Sequence, residues 1–195
     1  FILLFGFLYN KKPYAFKKKP FAGLLFNILT GLFLLVVGFI HSTNSFYQLF
    51  EFKFLIYSIP YLLLFTSVSI LANIPDIDGD KECGKNTFVI KFGINKSVIF
   101  CAILVLIALF LSLLNNDPLA STSIVTIFPF FLYAQLRGLK KDIMRAIRYP
   151  IAILNLFTMC IFPYLFVFVL LVFYLSKYYY WHRFNLHYPT LLVDD

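Results

Sequence analysis

The sequence predicts an all-α fold, a polytopic bundle of transmembrane helices that forms one domain over residues 1–195. Three observations carry that prediction. Of the 195 residues, 61% are hydrophobic and only 13% charged, whereas soluble domains are about 45–50% apolar and about 25% charged. Mean hydropathy is correspondingly high, at +0.85. The apolar residues form long unbroken runs, not the alternating stretches of about ten that barrel strands need. The charges gather at the ends of those runs. Inside lipid each span must satisfy its own backbone hydrogen bonds, so runs of this length read as helices.

Residues 1–9, FILLFGFLY, are apolar but would rise only about 13 Å as a helix, against a hydrocarbon core about 30 Å thick. They lack the basic start and small-residue cleavage site of a signal peptide. They are therefore expected to be the end of a longer helix, and the chain a fragment. Five full spans follow. The first, 21–40, is entered after the lysine-rich NKKPYAFKKKP and left at HSTNS. The second, 54–73, runs into an acidic stretch, and the third, 97–114, closes at NNDP. The fourth, 119–136, stops at Arg137, and the fifth, 151–176, follows Pro150. Residues 177–195 read as an aromatic interfacial tail. Cys83, Cys101 and Cys160 are widely spaced with no CxxC pair, so neither a disulfide framework nor a zinc site follows.

Charge tests this topology. With the stub leaving on one side, five crossings place 10–20, 74–96 and 137–150 on that side. Of the 17 basic residues, only Lys53, Lys177 and Arg183 then fall on the other. The positive-inside rule makes the basic side cytoplasmic, in a cell inner or plasma membrane. Basic residues so placed set topology and meet lipid headgroups, and no nucleic-acid partner is expected. The run RGLKKDIMRAIR, 137–148, reads as an interfacial basic helix against those headgroups. His41, His182 and His187 lie away from the acidic stretch and are assigned no chemistry.

The acidic stretch ANIPDIDGDKECGKNTF, 72–88, stands out in so apolar a chain. On a helix, Asp76 and Asp80 share one face with Cβ atoms about 6 Å apart, while Asp78 points away. Two carboxylates at that spacing suit Mg2+, which takes few protein oxygens and completes its shell with water and phosphate. Lys81 and Lys85 follow, so a diphosphate would meet metal on one side and ammonium groups on the other. The plain alternative is a solvated loop, and Asp78 and Glu82 are read that way. An EF-hand loop starting at Asp76 would need Gly sixth and Glu twelfth, where Lys81 and Thr87 stand. The phosphotransferases that act on CDP-alcohols need an Ala-Arg pair and a second aspartate pair after Asp-Gly, and neither is present.

The stretch NIPDIDGDKECGKNTFVIKFG resembles the second aspartate-rich motif of the UbiA superfamily of intramembrane prenyltransferases. Asn73, Asp76, Gly79, Asp80, Lys81, Gly84, Lys85, Thr87 and Gly93 fall in the places of that motif. YNKKPYAFKKKPFAGLLFN resembles the loop between the fourth and fifth helices of the family, through Tyr9, Pro13, Lys18 and Pro20. Asn10 stands where the family often has Ser. The YxxxK signature fits Tyr14 to Lys18, whereas Pro13 lies four after Tyr9, so either tyrosine is a candidate.

The resemblance covers essentially the whole chain, aligned to the C-terminal part of a fold of about nine helices. It implies Mg2+-dependent transfer of a prenyl group from an isoprenoid diphosphate donor to an aromatic or other hydrophobic acceptor within the membrane. Asp76 and Asp80 would carry the metal, and Lys18, Lys81 and Lys85 the leaving-group charge. Tyr9 or Tyr14 would orient the diphosphate. Asn73 either joins them or only caps and bridges helices. The first aspartate motif of the family, NxxxDxxxD, does not occur in this sequence, so the chain is expected to hold half a metal site and to be inactive by itself. The competing readings are a degenerate, non-catalytic member of the superfamily and a fragment of a helical transporter. A transporter would place broken helices and charges near the midplane, whereas the charges here cluster at one boundary.

Overall fold

The computed structural model describes residues 2–11, 15–43 and 52–188. Among them every regular element is helical: α1 Ile2–Asn10, a 3-10 turn Phe16–Lys18, α2 Pro20–Thr43, α3 Phe52–Leu71, α4 Ile77–Glu82, α5 Phe88–Phe92, α6 Ile94–Leu114, α7 Pro118–Arg137, α8 Lys140–Ile161 and α9 Tyr164–Phe184. Six of these, α2, α3 and α6 to α9, are long and apolar enough to cross a membrane. The all-α, polytopic prediction holds.

One part of the predicted layout changes. The single span expected at 151–176 is two helices, α8 and α9, and the interfacial helix expected at 137–148 does not exist as a separate element. The break falls at a different proline. Pro150 does not bound a helix: α8 runs through it, as α3 runs through Pro60 and α7 through Pro129. Spanning helices tolerate proline where neighbouring groups take over the freed backbone partners. The stop comes at Pro163, whose ring pushes the preceding Phe162 out of the helical region, to φ −122 and ψ 79. At the other boundary Gly138 adopts the left-handed φ of 63 that ends α7, and Leu139 is extended. The basic residues Lys140, Lys141, Arg145 and Arg148 therefore occupy the first three turns of a helix of 22 residues, which is about 33 Å long.

Six crossings instead of five return the end of α9 to the side of the acidic loop. Lys177 and Arg183 then join the basic side, and Lys53 is left as the single basic residue of the described residues on the other. The charge asymmetry is sharper than predicted. Residues 177–184, expected as the start of a tail, are the last two turns of α9, and 189–195 lie outside the described residues.

The packed centre is the consecutive set α3, α6, α7 and α8. Ile70, Leu71, Val105, Ile124, Ile127 and Phe131 are fully buried there. Small residues let the backbones approach: Ser67, Ser97, Cys101, Ala108, Ser112 and Ala146 are all completely buried. The Ser67 hydroxyl donates to the Leu63 carbonyl at 2.9 Å and shares that hydrogen with the Cys101 carbonyl at 3.4 Å, while Cys101 Sγ donates to the Ser67 carbonyl at 3.5 Å. Lipid is as apolar as a leucine side chain, so close packing and interhelical hydrogen bonds, not apolar burial alone, hold such helices together. At the end opposite the acidic loop, Tyr61 donates to Asp117 at 2.8 Å and the Asn115 amide donates to the Ile56 carbonyl at 3.0 Å. Leucine, valine and phenylalanine side chains on the outer faces of α6 and α9 are exposed, as lipid contact requires.

Candidate active site

The site grows out of the end of α3. Asn73 donates from its side-chain amide to the Ser69 carbonyl at 2.8 Å, a bond to the preceding turn that closes the helix end. The chain then turns through Pro75 into the short α4, where the Asp80 amide donates to the Asp76 carbonyl at 2.8 Å. The predicted one-turn spacing of the two aspartates is therefore real. Their surroundings differ. Asp76, at the start of α4, is exposed and makes no side-chain hydrogen bond or ion pair among the described residues. Asp80 is only 5% exposed and pairs with the Lys85 ammonium. That hydrogen bond lifts the Lys85 pKa above its ordinary 10.5. Asp78, Glu82 and Lys81 are exposed.

Two motif residues shape the loop that brings Lys85 back. Gly84 takes a φ of +64 just past α4, which costs a residue without Cβ nothing. The Lys85 amide then donates to the Asp80 carbonyl at 2.9 Å, so backbone and side chain close the same turn. Thr87 starts α5 by accepting from the Ile90 amide at 3.5 Å. Gly93, with a φ of +83, turns the chain from α5 into α6.

The second motif region docks onto this loop. The Lys18 ammonium donates to the Cys83 carbonyl at 3.3 Å, and the Lys18 carbonyl accepts from the Asn86 amide at 3.1 Å. Lys18 is thus a staple between the 3-10 turn and the acidic loop. Beside it, Lys17 donates to the Asn10 side-chain oxygen at 3.1 Å, and Asn10 in turn donates to the Gly6 carbonyl at 3.0 Å. Tyr9 is half-buried, 6.5 Å from Phe26 between ring centres, and lies within electrostatic reach of both Lys85 and Asp80. Of the two candidate tyrosines, Tyr9 lies near Asp80 and Lys85, and Tyr14 lies outside the described residues. A narrow cleft of about 30 Å³ is lined by Tyr9, Lys17, Lys19, Asn27, Asn73 and Thr87.

Tyr9, Asn73, Lys18, Asp80 and Lys85 thus converge at one end of the bundle, with Asp76 and Lys81 on its exposed rim. Sequence reasoning missed Lys17, Lys19 and Asn27. The signal for Asn27 was an amide inside an apolar run. It also passed over Asp142, 2% exposed and held by Arg137 Nε at 3.3 Å and Arg145 Nη1 at 3.0 Å. No group of three or more acidic, histidine or cysteine side chains that could hold a metal occurs among the described residues. Mg2+ often takes only one or two carboxylates, so the Asp76 and Asp80 donor set fits that ion with substrate and water oxygens completing it.

A bundle of six apolar helices with an acid–lysine loop at one end is the architecture of an integral membrane protein. The model of the UbiA prenyltransferase family matches residues 1–149, and the chain belongs to that family. Membership supports a membrane prenyltransferase activity in general terms. No curated protein and no solved structure gives a match.

Proposed function

We propose that the chain transfers a prenyl group from an isoprenoid diphosphate to an aromatic or lipid-like acceptor within the membrane, with Mg2+ on Asp76 and Asp80. The observation that carries this reading is the acidic loop itself: Lys85 pairs with the Asp80 carboxylate, Tyr9 lies within electrostatic reach of both, and Lys18 holds the same loop at the Cys83 carbonyl. Mg2+ held there would supply Lewis-acid neutralisation of the diphosphate charge. Lys85 and Lys81 stand as fixed cations for the charge that develops as the bond between prenyl C1 and oxygen breaks and diphosphate departs with the electron pair. The allylic cation left behind bonds to the nucleophilic atom of the acceptor, which then loses a proton. Tyr9 lines the cleft and lies within electrostatic reach of Lys85 and Asp80, suited to orienting the diphosphate. The prenyl tail lies among the apolar helices. The positive-inside rule places the site on the cytoplasmic side of an inner or plasma membrane.

The internal pair of Asp80 with Lys85 favours a second reading, a degenerate member in which the ammonium has taken the place of the metal. One experiment separates the two. Membranes containing the full-length protein are incubated with labelled prenyl diphosphates and a panel of acceptors, with Mg2+ or with chelator. Chelator-sensitive product that disappears in Asp76→Ala and Asp80→Ala supports the enzyme. Product in both variants rules out the metal role, and no product under any condition supports the degenerate scaffold.

A further inference from the structure

The cleft lined by Tyr9, Asn73 and Thr87 contains one uncharged polar side chain that neither motif accounts for. Asn27 sits in the second turn of α2, about 10 Å along that helix from its start at Pro20, in an otherwise apolar run. Polar side chains inside a span are costly and usually either bind a neighbouring helix or serve a site. Asn27 makes no side-chain hydrogen bond among the described residues, whereas Asn73, also lining the cleft, gives one of its two amide hydrogens to the Ser69 carbonyl. Thr87 accepts from the Ile90 amide and has a single hydroxyl hydrogen left to give. The Asn27 amide therefore keeps both donor hydrogens for whatever enters.

The character of the cleft says what that is. Its charged lining, Lys17 and Lys19, is entirely cationic. The first turn of α2, which reaches the same cleft through Pro20 and Gly23, adds the positive end of a helix dipole. At about 30 Å³ the space suits one water molecule or one phosphoryl oxygen, not a whole diphosphate. Resting on the prenyltransferase reading, we infer that Asn27 is a further donor-binding residue, whose amide hydrogen-bonds one phosphoryl oxygen of the diphosphate while Lys17 and Lys19 offset its charge. The cleft lies where α2 meets α5, so a diphosphate held at the acidic loop would place one of its oxygens there.

The test is binding of inorganic pyrophosphate with Mg2+ to the purified full-length protein, measured by titration calorimetry. Asn27→Leu is expected to weaken binding about tenfold, the order of one hydrogen bond to a charged group. Asn27→Asp keeps shape and polarity but adds negative charge, and is expected to weaken it further, by more than thirtyfold. Because Asn27→Asp is close to isosteric, it keeps the test decisive where Asn27→Leu fails to fold. Wild-type binding with Asn27→Asp within twofold overturns this inference alone and leaves the prenyltransferase reading standing. Absence of pyrophosphate binding to the wild-type protein overturns both.

Discussion

Asp80 and Lys85 form an ion pair across the turn that closes α4, so one of the two site carboxylates is neutralised by its own loop while Asp76, one helical turn earlier, faces solvent unpaired. A divalent ion that uses Asp80 must share it with, or take it from, an ammonium. Lys85→Met is therefore expected to strengthen binding of Mn2+ alone by several-fold, read by the loss of free-ion EPR signal. The same substitution should weaken binding of pyrophosphate with Mg2+, because a cation near the diphosphate is lost. Unchanged Mn2+ affinity in Lys85→Met would mean that Asp80 is a structural partner and not a metal ligand.

The pair also fixes a pH response. The hydrogen bond to Asp80 raises Lys85 above the usual 10.5 in the folded protein. A lysine with a raised folded pKa contributes stability that is fully present below its unfolded value and is lost as pH rises through the folded value. The difference in thermal midpoint between wild type and Lys85→Met should hold steady from pH 7 to about 9.5 and close only above the ordinary lysine range. Lys85 is about a third exposed, so the difference will be small, a few degrees at most. A gap that closes already between pH 7 and 9 would contradict the pairing.

Lys18 acts on the site through the backbone of the acidic loop. Its ammonium holds the Cys83 carbonyl, while its own carbonyl holds the Asn86 amide. Lys18→Met removes only the first of these bonds. Amide exchange at Gly84 and Lys85 should accelerate several-fold in this variant, with Asn86 protection largely kept. Lys18→Arg, which can still reach a carbonyl, should restore the wild-type rate. Uniform exchange across wild type and Lys18→Met would show that the staple adds nothing to loop order.

The fold class was legible because lipid imposes one rule on every span, and apolar runs ending in charge reveal it. The acidic loop was legible through the Asp76/Asp80 spacing and its resemblance to a family motif; the left-handed turn at Gly84, the return of Lys85 to Asp80 and the Thr87 cap appear only in the structure. Pro150 and Pro163 defeated the reading of the last two helices, since only neighbouring side chains decide whether a proline bends a helix or ends it. Lys17, Lys18 and Lys19 could not be told apart by letter. A 3-10 turn points adjacent residues in different directions, which sends Lys18 to the loop carbonyl and its neighbours to the cleft.

Asp142 was invisible because its two partners lie on either side of the break between α7 and α8: the sequence marked that break at Arg137, but not the turn that brings Arg137 back onto the carboxylate. It is buried at the α7–α8 corner, with Arg137 closing from the last turn of α7 and Arg145 from the first turns of α8. Breaking a fully buried pair by removing one partner costs about 3–5 kcal/mol. Here the partners left behind are 49% and 36% exposed, so water can recover much of their solvation, and Asp142→Ala is expected to cost about 2 kcal/mol. The corner lies apart from the acidic loop in the chain and shares no residue with the cleft. Asp142→Ala should therefore lower the thermal midpoint in detergent while leaving affinity for pyrophosphate with Mg2+ within twofold of wild type. A large loss of affinity without loss of stability would instead place Asp142 and its two arginines in the substrate site.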